Sequence, residues 1–157
     1  MTTREQAVQI ALTYRKTPYV LGGRLKGAGV DCATLLGLYL VEIGFANADE
    51  MWGGLASYSG DWFLHTGNER YLRSLVRFGA ASAETICRAD HAPHPGDIAL
   101  FKVAKSRVFN HGAIVTHWPF AVHACTEGVR ESNMTTHRLT AFRPMEVFDP
   151  FAKMGTG

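Results

Sequence analysis

The chain has 157 residues, 46% of them apolar and 19% charged, with a formal net charge of +2 at pH 7. This is the composition of one soluble globular domain, spanning 1–157, with enough length to bury a real core. So weak a positive charge does not argue for a nucleic-acid partner, the three cysteines cannot all pair into a disulfide framework, and no apolar run is long enough for insertion into a membrane.

The N-terminal MTTREQAVQIALTY lacks a basic segment followed by an apolar run, so no secretory signal is expected. Thr3 to Lys16 reads instead as a first helix. Thr3 and Gln6 form a capping-box pattern, and Ala7, Ile10, Ala11 and Tyr14 fall on one face. Thr17-Pro18 then favours extended backbone and leads into a glycine-rich loop holding Gly22, Gly23, Gly27 and Gly29. The helix that follows ends near Gly44 and is apolar nearly all round, from Leu35 to Ile43, as a buried helix should be.

Asp31 is a good N-cap for that helix and places Cys32 in its first turn. Unpaired N–H groups and the helix dipole favour a thiolate there. Cys32 therefore reads either as a small buried hydrophobe or as a nucleophile, and the loop-to-helix junction makes the second reading worth pursuing.

Ala46 to Gly60 is small-residue and turn-rich, the pattern of a surface excursion. Asp61 to Phe78 has helical spacing, with Arg70, Arg73 and Arg77 on a solvated face. HAPHPGD signals a turn, after which short strands take over. These are Asp97 to Val103, His111 to His117, Ala121 to Cys125, Gly128 to Ser132 and a last one around Leu139 to Phe142. Helices first and a small antiparallel sheet second make an α+β fold.

A nucleophilic cysteine needs a base, and the base needs an orienting partner. Of seven histidines, His111 opens a strand, where a side chain can reach a helix terminus. His123 lies in the next strand within apolar AVHAC. Adjacent antiparallel strands would set the two side by side, on the face covered by the Cys32 helix. His123 also has the plainer reading of a satisfied core histidine. His65, His117 and His137 read as surface residues, and Cys87 and Cys125 as core. His91 and His94 with Asp97 suggest a metal, to which Cys125 beside His123 would add, but the two histidines flank prolines in a loop and no second pair stands at a recognisable zinc spacing, so no metal is expected. GGRLKGAG lacks the lysine and hydroxyl of a phosphate loop.

Four motifs in order resemble the NlpC-type cysteine peptidases of the bacterial cell wall: TPYVLGG followed by GVDC, HPGDIALF, NHGAIVT and VHA. The resemblance covers about Ile10 to Ser132 and implies a reduced papain-like fold, with N-terminal helices packed on the sheet. It implies Cys32 as nucleophile, His111 as base and His123 as the residue that orients the base. Tyr19 would line the site and help the oxyanion, and Asp31 would contact a substrate amine as well as cap the helix. Ala33-Thr34 stand where the family usually has serine and glycine. The implied activity is a peptidoglycan endopeptidase cutting stem peptides between D-glutamate and the following diamino acid, without cofactor.

YSGDW, the long insert and the closing AFRPMEVFDPF look like the branch encoded with phage and gene-transfer-agent tail genes. This implies a protein made in the bacterial cytoplasm, associated with the virion tail and acting on the cell wall, with tail-tip proteins as partners. A structural tail-tip or hub protein of weak or no activity, and a papain-fold amidase or acyltransferase, are the competing functions.

Overall fold

The computed structural model describes residues 1–53 and 91–154. The expected helix Asp61 to Phe78, the YSGDW motif, His65 and Cys87 lie outside the described residues. Helix α1 (Arg4–Leu12) starts at the expected capping box: the Gln6 N–H donates to Thr3 Oγ1 at 3.1 Å, and the Thr3 N–H donates to Gln6 Oε1 at 2.8 Å. It stops four residues short of Lys16. Lys16 adopts φ 72°, and its N–H leaves the helix to pair with the Val129 carbonyl at 2.9 Å.

The glycine loop contains a two-stranded hairpin, β1 (Arg24–Leu25) and β2 (Gly29–Val30). Gly23 is required by close approach: a Cβ there would stand 2.6 Å from the Gly29 carbonyl oxygen. Helix α2 (Cys32–Glu42) follows, burying Leu35, Leu36, Tyr39 and Leu40. The supposed excursion after it begins with a short helix, α3 (Ala48–Gly53), which buries Met51. Its single apolar anchor is too little for periodicity to reveal.

Five antiparallel strands form the sheet: β3 (Ile98–Phe101), β4 (His111–His117), β5 (Phe120–Cys125), β6 (Gly128–Asn133) and β7 (Met145–Phe148), in the order β6-β5-β4-β3-β7. The last strand is thus not at Leu139 to Phe142. Those residues form turns, Phe142 having φ 60°, and the strand comes after Pro144, where Val147 and Phe148 reach the core. A short helix, α4 (Pro150–Met154), closes the described chain.

Strand alternation separates two cores. Ile98, Leu100, Ile114 and Val122 face α1 and α2. Ala99, Phe101, Ala113, Val115 and Ala121 form the other face, covered by Met134 and Leu139. Gly112 sets the distance between α2 and the sheet, since a Cβ there would stand 2.5 Å from Leu36 Cδ1.

Arg4 ties α1 to the far edge of the sheet. Its guanidinium donates to Asp97 Oδ1 and Asp149 Oδ2, both at 2.7 Å. The Asp97 side chain is fully enclosed, and burial pushes its carboxyl up even with Arg4 beside it. Arg4→Ala would leave that buried carboxylate without its guanidinium partner, and should cost about 3 kcal/mol, the lower end for breaking a buried pair. Asp97→Asn in the same chain should recover part of the loss. Urea unfolding of the two variants measures both.

Candidate active site

The position of Cys32 is fixed by its neighbour. Asp31 Oδ1 accepts the Ala33 and Thr34 N–H groups at 2.9 and 2.8 Å, and its own N–H donates to Thr34 Oγ1 at 2.8 Å. Asp31 Oδ2 accepts the Gly22 N–H at 2.7 Å, and Gly22 has φ 75°, a backbone that favours glycine. One carboxylate therefore joins the glycine loop to the first turn of α2. Its N-cap role is visible directly; buried, with both oxygens engaged, it is a wall of the site more than an open ligand. Cys32 is the first residue of α2 and is half-buried. Its Sγ lies 3.8 Å from the carbonyl oxygen of Asn110, the residue before His111. The helix terminus and the strand start thus meet at this point.

His111 and His123 are brought together. His111 Nε2 and His123 Nδ1 are 2.9 Å apart, with the rings edge to face at a centroid distance of 5.2 Å. They share a sheet face, but not the one expected. Ala113 pairs with His123, and Gly112, between His111 and Ala113, is the residue that meets Leu36. The period of two puts both imidazoles on the face opposite the body of α2. Cys32 approaches the end of β4 from the helix terminus rather than across the packed face.

Two further residues belong to this cluster. His123 Nε2 is 3.0 Å from Ser132 Oγ. Alternation along GVRES sets Ser132 and Arg130 on the face of Ala121 and His123, a signal present in the pairing pattern but invisible without the register. His137 is not a surface residue: it is half-buried and packs edge to face on His123, with ring centroids 4.7 Å apart. Its turn folds back under the sheet, which strand periodicity does not reveal.

Burial, then the neighbouring His123 and His137, push the His111 pKa well below 6.5. Burial, then His137, does the same to His123. Both rings are neutral at neutral pH. Tyr19 stands against Cys32, held by a bridge to Val30. Burial, followed by the charges of Cys32 and Asp31, pushes its phenol up, so it stays a proton donor. Asn110 braces the approach to His111: its Oδ1 accepts the Val103 N–H at 2.8 Å and its Nδ2 donates to the Val103 carbonyl at 3.2 Å.

Among the described residues, two groups bring three ligating atoms within 4.8 Å of one another: His91, His94 and Asp97, and His123, Cys125 and His137. In the first, Asp97 is already committed, Oδ1 to the Arg4 guanidinium and Oδ2 to the His94 N–H at 2.9 Å. A cation there would face Arg4.

No family model matches this sequence, and no curated protein matches it. Solved structures do. The NlpC/p60 domain of the peptidoglycan hydrolase SagA superposes with a TM-score of 0.58 at 16% identity, over 93% of this chain and 98% of that one. NlpC1 from Trichomonas vaginalis gives 0.56 at 16% identity, over 93% of this chain and 43% of that one. The chain has the NlpC/p60 fold. At this identity the likeness is one of architecture, the papain-like arrangement of N-terminal helices on a small antiparallel sheet.

The buried imidazoles give the NlpC/p60 fold of this chain a pH dependence. His111 and His123 resist protonation when folded, whereas the unfolded chain takes up protons as the pH falls through about 6.5. Their contribution is fully present above that value and is lost as the pH falls toward the lowered folded pKa values. His91, raised by the Ala92 carbonyl ahead of its other contacts, acts in the opposite sense. Unfolding free energy should therefore fall from pH 7 to pH 5 by up to about 1.4 kcal/mol per pH unit for each buried ring. His123→Asn should flatten the slope, as denaturant titrations at the two pH values would show.

Proposed function

We propose that this protein is a cysteine peptidase of the bacterial cell wall, an endopeptidase acting on the stem peptides of peptidoglycan. The observation that carries the proposal is the hydrogen-bonded row of His111, His123 and Ser132, ending where Cys32 Sγ meets the Asn110 carbonyl. The NlpC/p60 fold supports it, since the SagA domain is that of a peptidoglycan hydrolase.

His111 Nε2 is engaged with His123, so the proposed mechanism assigns Nδ1 to the Cys32 thiol. For Nδ1 to accept a proton, Nε2–H must donate to His123 Nδ1, and His123 Nε2–H to Ser132 Oγ. This tautomer chain makes His123 and Ser132 positioning residues. Neutral His111 takes the thiol proton as sulfur attacks the amide carbon. The Cys32 N–H at the helix start and the Tyr19 hydroxyl stabilise the oxyanion. His111 then protonates the leaving amine, and water releases the acyl group.

The bond cut is taken to be that between D-glutamate and the diamino acid, which rests on the sequence motifs. Delivery on a phage or gene-transfer-agent tail, with tail-tip partners, rests on the resemblance of YSGDW and the closing segment to that branch.

Mass spectrometry of muropeptides incubated with purified protein tests the reading. The wild type should release fragments cut within the stem. Cys32→Ala should lower the rate at least about a thousand-fold, and His111→Ala nearly as much, because nucleophile and base act as one unit. His123→Asn should retain part of the activity, since an amide oxygen can still accept from His111. Intact muropeptides with the wild type, or equal cleavage by Cys32→Ala, would refute the proposal.

A further inference from the structure

Three chemistry-bearing side chains outside the Cys32–His111 pair converge on one point. Cys125 follows His123 by two residues in β5 and shares its sheet face. The turn after β6 brings His137 onto the His123 ring. The ligating atoms of His123, Cys125 and His137 all lie within 4.8 Å of one another. Glu127, two residues beyond Cys125, carries a carboxylate near the Cys125 thiol, which donates to the Gly128 carbonyl at 3.5 Å. HACTE thus offers imidazole, thiol and carboxylate at alternate positions, and His137 supplies a second imidazole.

From this convergence we infer that His123, Cys125 and His137 bind a zinc(II) ion, with Glu127 turning in from outside their cluster as fourth ligand, and that the ion switches the proposed peptidase off. Two imidazoles, a thiolate and a carboxylate are a ligand set zinc accepts in tetrahedral geometry. On binding, the thiol proton leaves to solvent. The ligating atoms must draw together slightly, and His137, on a turn, can supply that movement. Binding also costs small local bonds: His137 Nδ1 accepts the Leu139 N–H at 3.2 Å, and Glu127 pairs with Arg138.

Inhibition follows whichever His123 nitrogen the ion takes, and this part rests on the proposed function. Zinc on Nδ1 breaks the contact with His111 directly. Zinc on Nε2 breaks the contact with Ser132 and forces the remaining ring proton onto Nδ1. His123 would then donate to His111 Nε2, and the His111 proton would move to Nδ1, the nitrogen that the proposed mechanism assigns to the thiol. A base that already holds its proton cannot take another from the thiol.

Cobalt(II) and zinc(II) titrations of the purified full chain test the inference without a substrate. Cobalt should bind one to one and give a thiolate-to-metal charge-transfer band in the near ultraviolet, and excess zinc should abolish the band. Cys32→Ala should keep it. Cys125→Ser should lose it, His137→Gln should need more cobalt to reach it, and both should weaken zinc binding by more than the roughly 10–100-fold that loss of an outer-shell partner costs. No band in the wild type, a band retained in Cys125→Ser, an unshifted titration in His137→Gln, or loss of the band in Cys32→Ala would overturn the site. With muropeptides, zinc should inhibit the wild type while His137→Gln resists inhibition; equal inhibition of both would overturn the switch. A wild type that cuts no muropeptide refutes the peptidase reading, and the cobalt titration still decides the metal site.

Discussion

Asp31 carries the support of Cys32 on both sides: Oδ1 holds two N–H groups of the first turn of α2, and Oδ2 holds Gly22 of the preceding loop. A helix start leaves its first N–H groups without intrahelical partners, and a buried start cannot leave them to water. Asp31 satisfies two of them and spends its remaining capacity on the loop. The hairpin at 24–30, the segment bearing Tyr19 and the helix bearing Cys32 are therefore positioned by one side chain. The glycines serve this arrangement. Gly22 supplies the turn that presents its N–H, and Gly23 lets the hairpin close against Gly29.

The partner half depends on register. In a strand, a shift of one residue moves every side chain to the other face, so the pairings of Ala113 with His123 and of Ala121 with Ser132 decide which polar groups can touch. Gly112 fixes how closely α2 lies on this sheet, and it is adjacent to His111. Packing of the core and placement of His111 are thus set by consecutive residues. Asn110, bracing the loop that enters β4, continues the same run.

The α+β order and the helix starts at Thr3 and Asp31 were legible in the sequence because they rest on local chemistry: caps, glycines and short-range alternation. Four strands were recognisable for the same reason, and His111 and His123 stood out by lying in two of them. Three features were not legible, and all are tertiary. Leu139 to Phe142 alternates like a strand but lies in turns that roof the second core, while the strand forms after Pro144 against β3. His137 looks solvated in a threonine-rich stretch, yet that stretch folds under β5. The face shared by His111 and His123 depends on which side of the sheet α2 chooses, and Gly112 makes that choice. Ser132 was hidden because a serine at a strand end carries no signal until its cross-strand neighbour is known.

The two halves of the site differ in how they treat charge. The start of α2, with its aligned N–H groups, favours a negative sulfur. The imidazole row does the reverse for a positive ring, because burial and the crowding of His111, His123 and His137 all resist a proton. A resting thiolate–imidazolium pair would require the buried half to carry the charge it is least suited to hold. The arrangement fits a thiol and a neutral base in the resting site, with the proton moving as sulfur attacks. In the proposed peptidase, negative charge would then pass from sulfur to the carbonyl oxygen, toward the helix N-terminus and Tyr19. The transient imidazolium would give up its proton to the leaving amine, and the burial that opposes its formation would also hasten its discharge.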